Sequence, residues 1–183
     1  FSALYGVGYV IVRYRKNGVL KRLSATPLTR LEFLLAQLAS RWWIILATGT
    51  LVFAVLNTMF HFQMHGSWLA LLLVYALGVF SLISLGLIIA SRLATEEVAD
   101  GILNLLSWPM MFLSEIWFSL DGAHPVVKWL SQLFPLTHVT SAARAIMLDG
   151  TGIVQVLPQV ATLVAMGLVF LAVGAWLFRW GQK

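Results

Sequence analysis

RYRKNGVLKRLSATPLTRLEFLLAQLASR, residues 13–41, lies between two stretches too apolar for a water-soluble protein. It holds seven of the chain's twelve lysines and arginines: Arg13, Arg15, Lys16, Lys21, Arg22, Arg30 and Arg41. Positive charge in a short segment between membrane spans marks the cytoplasmic side. The segment also has internal punctuation. Gly18 separates Arg13–Asn17 from Val19–Leu23, in which Val19, Leu20 and Leu23 form an apolar stripe beside Lys21 and Arg22. Two helix starts follow. Thr26-Pro27 reads as an N-cap with proline in the first turn, and Thr29 with Glu32 offers a capping box. Either start leads through Leu31, Leu34, Leu35 and Leu38 into the bilayer. The layout is a span, a short amphipathic helix on the cytoplasmic side, a tight turn and a new helix. A short helix held this way can lie on lipid or press into a partner's groove.

The rest of the chain agrees with a membrane setting. Of 183 residues, 60% are hydrophobic and 10% charged, with a mean hydropathy of +0.89. A soluble domain carries roughly 25% charged residues. The formal charge of +5 sits mainly in short loops, where it orients the chain and attracts anionic lipid heads. No interleaving of basic and aromatic residues points to nucleic acid. The absence of cysteine excludes disulfides, thiolate metal sites and thiol catalysis.

The expected fold is all-α: a polytopic transmembrane helical bundle, residues 1–183 forming a single transmembrane domain. Residues 1–12 read as the end of a span whose beginning is missing, because about 12 apolar residues fall short of the roughly 20 needed to cross. Residues 13–41 are the cytoplasmic segment and helix start. Spans are expected over 42–60, 68–90, 102–120 and 156–178. With each crossing once, ten of the basic residues fall inside, Arg92, Arg179 and Lys183 among them, and only Lys128 and Arg144 fall outside. Trp42, Trp43, Trp68, Trp129 and Trp180 fall at or near the interfaces. Gly78, Ser81, Ser84, Gly86 and Ala90 punctuate the second full span, where small residues let helices approach.

Residues 121–155 are too apolar for a free external loop. Pro125 and Pro135 divide them into WLSQLF and LTHVTSAARAIML, two short amphipathic patterns that suggest external re-entrant helices. Pro109 is expected to interrupt the third span.

Few residues invite chemistry. No phosphate-binding G-x-x-x-x-G-K-[ST] motif is present. His61 and His65 share helical i, i+4 spacing but lack an acidic third ligand, and read as interfacial polar groups rather than a metal site. His138, Ser141 and Asp149 contain the ingredients of a hydrolase without its sequence context. Glu115 is the sharper anomaly, since an acid at membrane depth is costly and marks a functional candidate. Placement at the external interface is the plainer alternative. Arg144 could tie the external helices by pairing with Asp149 or Glu115. Glu96, Glu97 and Asp100 suit a helix N-terminus.

Three patterns together resemble the ABC-2 permease family, the membrane subunits of exporters that pair with a separate ATPase. The first is Gly18, Leu20, Leu23, Pro27, Leu28, Phe33, Leu34 and Leu35. The second is Pro109, Phe112, Leu113, Ser114 and Phe118. The third is Pro135, Leu136, Thr137, Arg144 and Met147. One departure is Glu115, where the family usually has glycine. The resemblance implies a translocation pathway between two permease subunits, as a homodimer or pseudo-dimer, in a bacterial cytoplasmic (inner) membrane. It implies that Asn17, Gly18, Val19, Leu20, Lys21, Arg22 and Leu23 form a coupling helix docking on an ABC ATPase. Leu20 and Leu23 would be apolar anchors, and Lys21 and Arg22 steering charges. Glu115, Phe118 and Arg144 become pathway or gate candidates. ATP and Mg would belong to the partner chain, leaving this one a transporter subunit without catalysis of its own. The alternative is a fragment of an ion-coupled secondary transporter, which should show paired intramembrane charges or inverted repeats. Only Glu115 qualifies.

Overall fold

A computed structural model describes residues 2–62, 64–93, 95–120 and 122–178. Arg179, Trp180 and Lys183 lie outside the described residues. Among those described, the fold is entirely helical, as expected: α1 (Ser2–Lys16), α2 (Val19–Leu23), α3 (Arg30–Phe60), α4 (Trp68–Arg92), α5 (Glu96–Leu113), α6 (Pro125–Ser131), α7 (Pro135–Met147) and α8 (Leu157–Leu177). Three of these, α3, α4 and α8, are long and apolar enough to cross a membrane.

The central helix is α4, which packs most extensively on α8 and α1, then on α7 and α3. Its small residues serve that packing. Gly86 lies so close to α1 that a Cβ would press on the Leu4 carbonyl, and Gly78 lies equally close to Val139 of α7. The core divides along α4. An inner cluster joins Leu4, Ile11, Leu20, Phe33, Leu34, Ile83 and Leu87. An outer one joins Val74, Ala142, Ile146 and Leu163.

Gly18 ends α1 with φ 70°, in the left-handed region where an L side chain costs roughly 1–2 kcal/mol, and turns the chain into α2. Of the two helix starts after it, Thr29 prevails. Its hydroxyl accepts from the Glu32 amide and the Glu32 carboxylate accepts from the Thr29 amide, completing the capping box. The Thr26-Pro27 start is overturned because Thr26 is used locally: its hydroxyl donates to the Leu23 carbonyl at 2.6 Å and closes the turn after α2. From Arg30, α3 runs unbroken for 31 residues. At 1.5 Å per residue that is about 46 Å, against roughly 30 Å of hydrocarbon. The cytoplasmic part and the span are therefore one rod.

One expectation changes, at the end of α5. α5 continues through Pro109 and stops at Leu113, so the segment expected over 102–120 lies instead at Glu96–Leu113. A proline removes one helical hydrogen bond without forcing an end when flanking turns remain packed, and Met110, one residue later, is buried. α3 ends at Phe60 with His61 at φ 50°, so His61 and His65 do not share a helix face. The His65 amide instead donates to the Met147 carbonyl at 3.2 Å, tying the hairpin loop to the end of α7.

Candidate functional site

Two regions collect the residues that the sequence singles out. The first is the basic segment around α2. α2 folds back on the bundle with Leu20 only 1% exposed and Leu23 half-buried against the inner core. The apolar stripe of this helix thus faces its own protein, which corrects the expectation that Leu20 and Leu23 are free to anchor in a partner. Asn17, Lys21 and Arg22 are exposed, while Gly18 and Val19 are half-buried. Burial of Leu20 seats α2 in the inner core, packed on α1, and the outward face is basic.

Arg15, one turn before α2, was read only as one of several cytoplasmic charges. Its guanidinium reaches across to the C-terminus of α4. It donates to the carbonyls of Ala90 at 3.3 Å, Ser91 at 3.1 Å and Leu93. The last carbonyls of a helix have no intrahelical donor, and a cation there also meets the negative end of the macrodipole. Desolvation lowers the Arg15 pKa from its ordinary value, yet a guanidinium stays protonated in a protein. Arg15 therefore clamps α1, and α2 behind it, to α4.

A polar ladder joins the start of α1 to the first half of α5. The Tyr5 hydroxyl donates to Asn104 Oδ1 at 2.7 Å, and Asn104 Nδ2 donates to Asp100 Oδ1 at 3.2 Å. These residues were missed as a group. Their signal was present, because Asp100 and Asn104 are i, i+4 on one helix, but the partner on α1 is 99 residues away from Asn104. Beside the ladder, α5 leaves Leu105 and Trp108 exposed.

The second region lies between the end of α5 and α7. The structure brings Glu115 and Arg144 together. Arg144 Nη1 lies 3.4 Å from Glu115 Oε2, and Nη2 donates to the Glu115 carbonyl. Glu115 Oε1 accepts from the Leu120 amide at 3.3 Å. Glu115 adopts φ 60° just after α5, a conformation that favours glycine. The side chain that makes this turn unfavourable is the one that ties it to α7. The Thr140 hydroxyl adds a 2.7 Å bond to the Ser114 carbonyl. Phe118 stands apart, 67% exposed.

Glu115 lines a polar cup of about 450 Å³ between α6, α7 and the start of α8, with Lys128, Gln132, Thr137, His138 and Gln159. Thr137 Oγ1 and Gln159 Oε1 are buried there without a hydrogen-bond partner, which suits a wetted space. His138 and Ser141 form no catalytic pair: Ser141 Oγ donates to the His138 backbone carbonyl, and His138 Nε2 lies 2.8 Å from the Gln132 carbonyl. Among the described residues no cluster of metal-ligating side chains occurs.

Known proteins resemble this chain along nearly its whole length. The family model described as ABC-2 family transporter protein matches residues 1–176. The chain is 25% identical to the inner membrane transport permease YhhJ of Escherichia coli over 178 residues, 97% of this chain and 48% of that protein. It is 25% identical to the probable multidrug ABC transporter permease YbhS of Escherichia coli over 169 residues, 92% of this chain and 45% of the relative. It is 22% identical to the linearmycin resistance permease protein LnrN of Bacillus subtilis over 174 residues, 93% and 44% respectively. The chain spans about half the length of these relatives. No solved structure matches it.

Proposed function

Because this chain belongs to the ABC-2 family of transporter proteins, we propose that it is the pathway-forming part of an ATP-driven exporter's permease, coupled to a separate ATPase that holds ATP and Mg. The observation that carries the reading is α2, a five-residue helix whose Leu20 is buried in the core cluster that also holds Phe33 and Leu34 of the 31-residue α3, with Lys21 and Arg22 exposed. A partner pushing on the basic face would press on the core that α2 shares with the foot of α3, and a continuous helix transmits displacement. Asn17, Lys21 and Arg22 supply the contact face, and Leu20 and Leu23 the attachment to the lever.

The exposed face of α5 beside the Tyr5–Asn104–Asp100 ladder is the surface we assign to a second permease copy and to the pathway wall. The relatives' names, multidrug and linearmycin resistance, make drug-like molecules the first cargo class to test. The setting is a bacterial inner membrane, as for the relative named an inner membrane permease. Family membership supports the ATP-driven reading over the ion-coupled alternative. Purifying the full-length protein in gentle detergent should retain an ATPase in equal amount. Its absence, with transport driven by a proton gradient alone, would refute the reading.

In this scheme Glu115 and Arg144 hold the external helices over the end of α5. The two side chains are 34% and 46% exposed, so the ion pair itself contributes little, about 0.5 kcal/mol. Glu115→Gly should leave stability nearly unchanged, because relief of the left-handed turn offsets the lost pair. Arg144→Ala also removes the bond to the Glu115 carbonyl and should cost about 1–2 kcal/mol, read as a lower melting temperature. If Glu115→Gly abolishes transport at unchanged melting temperature, the carboxylate acts on cargo rather than as a tie.

A further inference from the structure

An apolar crevice of about 360 Å³ opens between the outer half of α3, the start of α4, and α7. Its walls are Phe53 of α3, Trp68, Leu72 and Tyr75 of α4, and Ala143 and Met147 of α7. Its inner end is closed. The Tyr75 hydroxyl donates to the Ile45 carbonyl at 2.9 Å, its ring lying so tightly on Gly49 that a Cβ there would collide with it. One step deeper, the Trp42 indole donates to the Ala76 carbonyl at 2.8 Å. These two bonds fasten α3 to α4 on the inner side. Beyond Gly49 no hydrogen bond joins the two helices among the described residues; they meet through the Phe53 and Trp68 rings, edge to face with centroids 5.3 Å apart, and α3 leaves Leu51, Val52, Val55 and Met59 exposed.

We propose that this crevice binds one acyl chain of an outer-leaflet membrane lipid. Its walls come from α3 and α4, both long and apolar enough to span a membrane, so its mouth meets hydrocarbon rather than water. Its depth matches a leaflet. Trp68 lies at the external end of α4, and the distance from there to Tyr75 is roughly 10 Å along the helix, within the ~15 Å of one leaflet's hydrocarbon. Its chemistry excludes polar occupants. The one phenol in the wall is already bonded, and an apolar cavity of this kind stays dry. Hydrophobic transfer does not drive binding here, because lipid tails are as apolar as the walls. Packing does. The aromatic faces of Phe53, Trp68 and Tyr75 gain the dispersion contacts that an empty slot would forfeit. The chain lies in the slot beside the Phe53–Trp68 contact and ends at the Tyr75–Gly49 floor, so it exchanges more slowly than lipid on the open faces.

The test uses the full-length protein in vesicles of phosphatidylethanolamine and phosphatidylglycerol, with a trace phospholipid carrying a diazirine near the end of its acyl chain. Photolabelling should concentrate on Leu72 and on the Val139–Met147 face of α7. It should run severalfold above labelling of Leu168 and Val169, which α8 exposes more fully. Ala143→Leu, which narrows the slot, should cut crevice labelling severalfold and leave α8 labelling unchanged. Should that variant fail to fold, the wild type still decides: the same lipid with its diazirine in the headgroup should label Ala143 and Leu72 less than the acyl probe does. Labelling no higher in the crevice than on α8, or crevice residues crosslinked to another stretch of protein instead of lipid, would overturn the proposal.

Discussion

Reversing Lys21 and Arg22 together (K21E/R22E) is expected to strip the ATPase from the purified permease and to abolish ATP-driven transport, while the protein still inserts and folds. Both side chains are exposed and neither contributes to the core, so folding has little to lose. Charges at the rim of an interface act on encounter and register. Two reversals turn attraction into repulsion, and a weakening of about tenfold or more in ATPase association should follow, greater at low salt than at high. Leu20→Ala gives the contrast. It removes a fully buried side chain and should destabilise the protein by about 2–5 kcal/mol, through a cavity under α2 rather than a lost contact. The measurement is the amount of ATPase copurified, with melting temperature recorded for each variant. Wild-type ATPase recovery and transport in K21E/R22E would show that α2 is not the docking face.

Arg15→Ala should be the most damaging substitution among the cytoplasmic basic residues near α1. The guanidinium is half-buried and serves three carbonyls at the end of α4. Its loss leaves those acceptors to whatever water can reach them. Hydrogen bonds to a charged donor contribute about 1.5–3 kcal/mol each when intact, but partial exposure lets water replace some. A net destabilisation of about 2–3 kcal/mol is expected. Arg15→Lys should recover only part of it, because an ammonium cannot span a fork of carbonyls as a planar guanidinium does. Arg13→Ala and Lys16→Ala, at exposed neighbouring positions, are the controls and should change melting by little. Equal losses at all three positions would mean that Arg15 contributes general charge and not a clamp. The clamp also bears on coupling, since it holds α1 and the turn into α2 against the central helix.

Much of the fold was legible because its signals are local. Apolar runs of spanning length gave α4 and α8 nearly at their observed bounds. Gly18 marked a break because a left-handed turn favours the residue without a Cβ. The Thr29–Glu32 spacing carried its own capping geometry, although Thr26-Pro27 competed with it until the Thr26 hydroxyl was seen to bond backward to Leu23. Pro109 misled because its local preference was overridden by packing on both sides.

By itself, then, the sequence determined the membrane setting, the all-helical class, the order of helices and the basic character of the α2 segment. Each follows from hydropathy, charge or spacing within one turn or one span. Only the tertiary structure decided which way α2 faces, which of several arginines clamps α4, and that Arg144 chooses Glu115 over Asp149. It alone revealed the apolar crevice that α3, α4 and α7 leave beyond Gly49. The physical reason is separation along the chain. Arg15 and its acceptors are 75 to 78 residues apart, and Arg144 and Glu115 are 29 apart. A residue's type states what bonds it can make. The packing of helices around α4 settles which partner comes within reach.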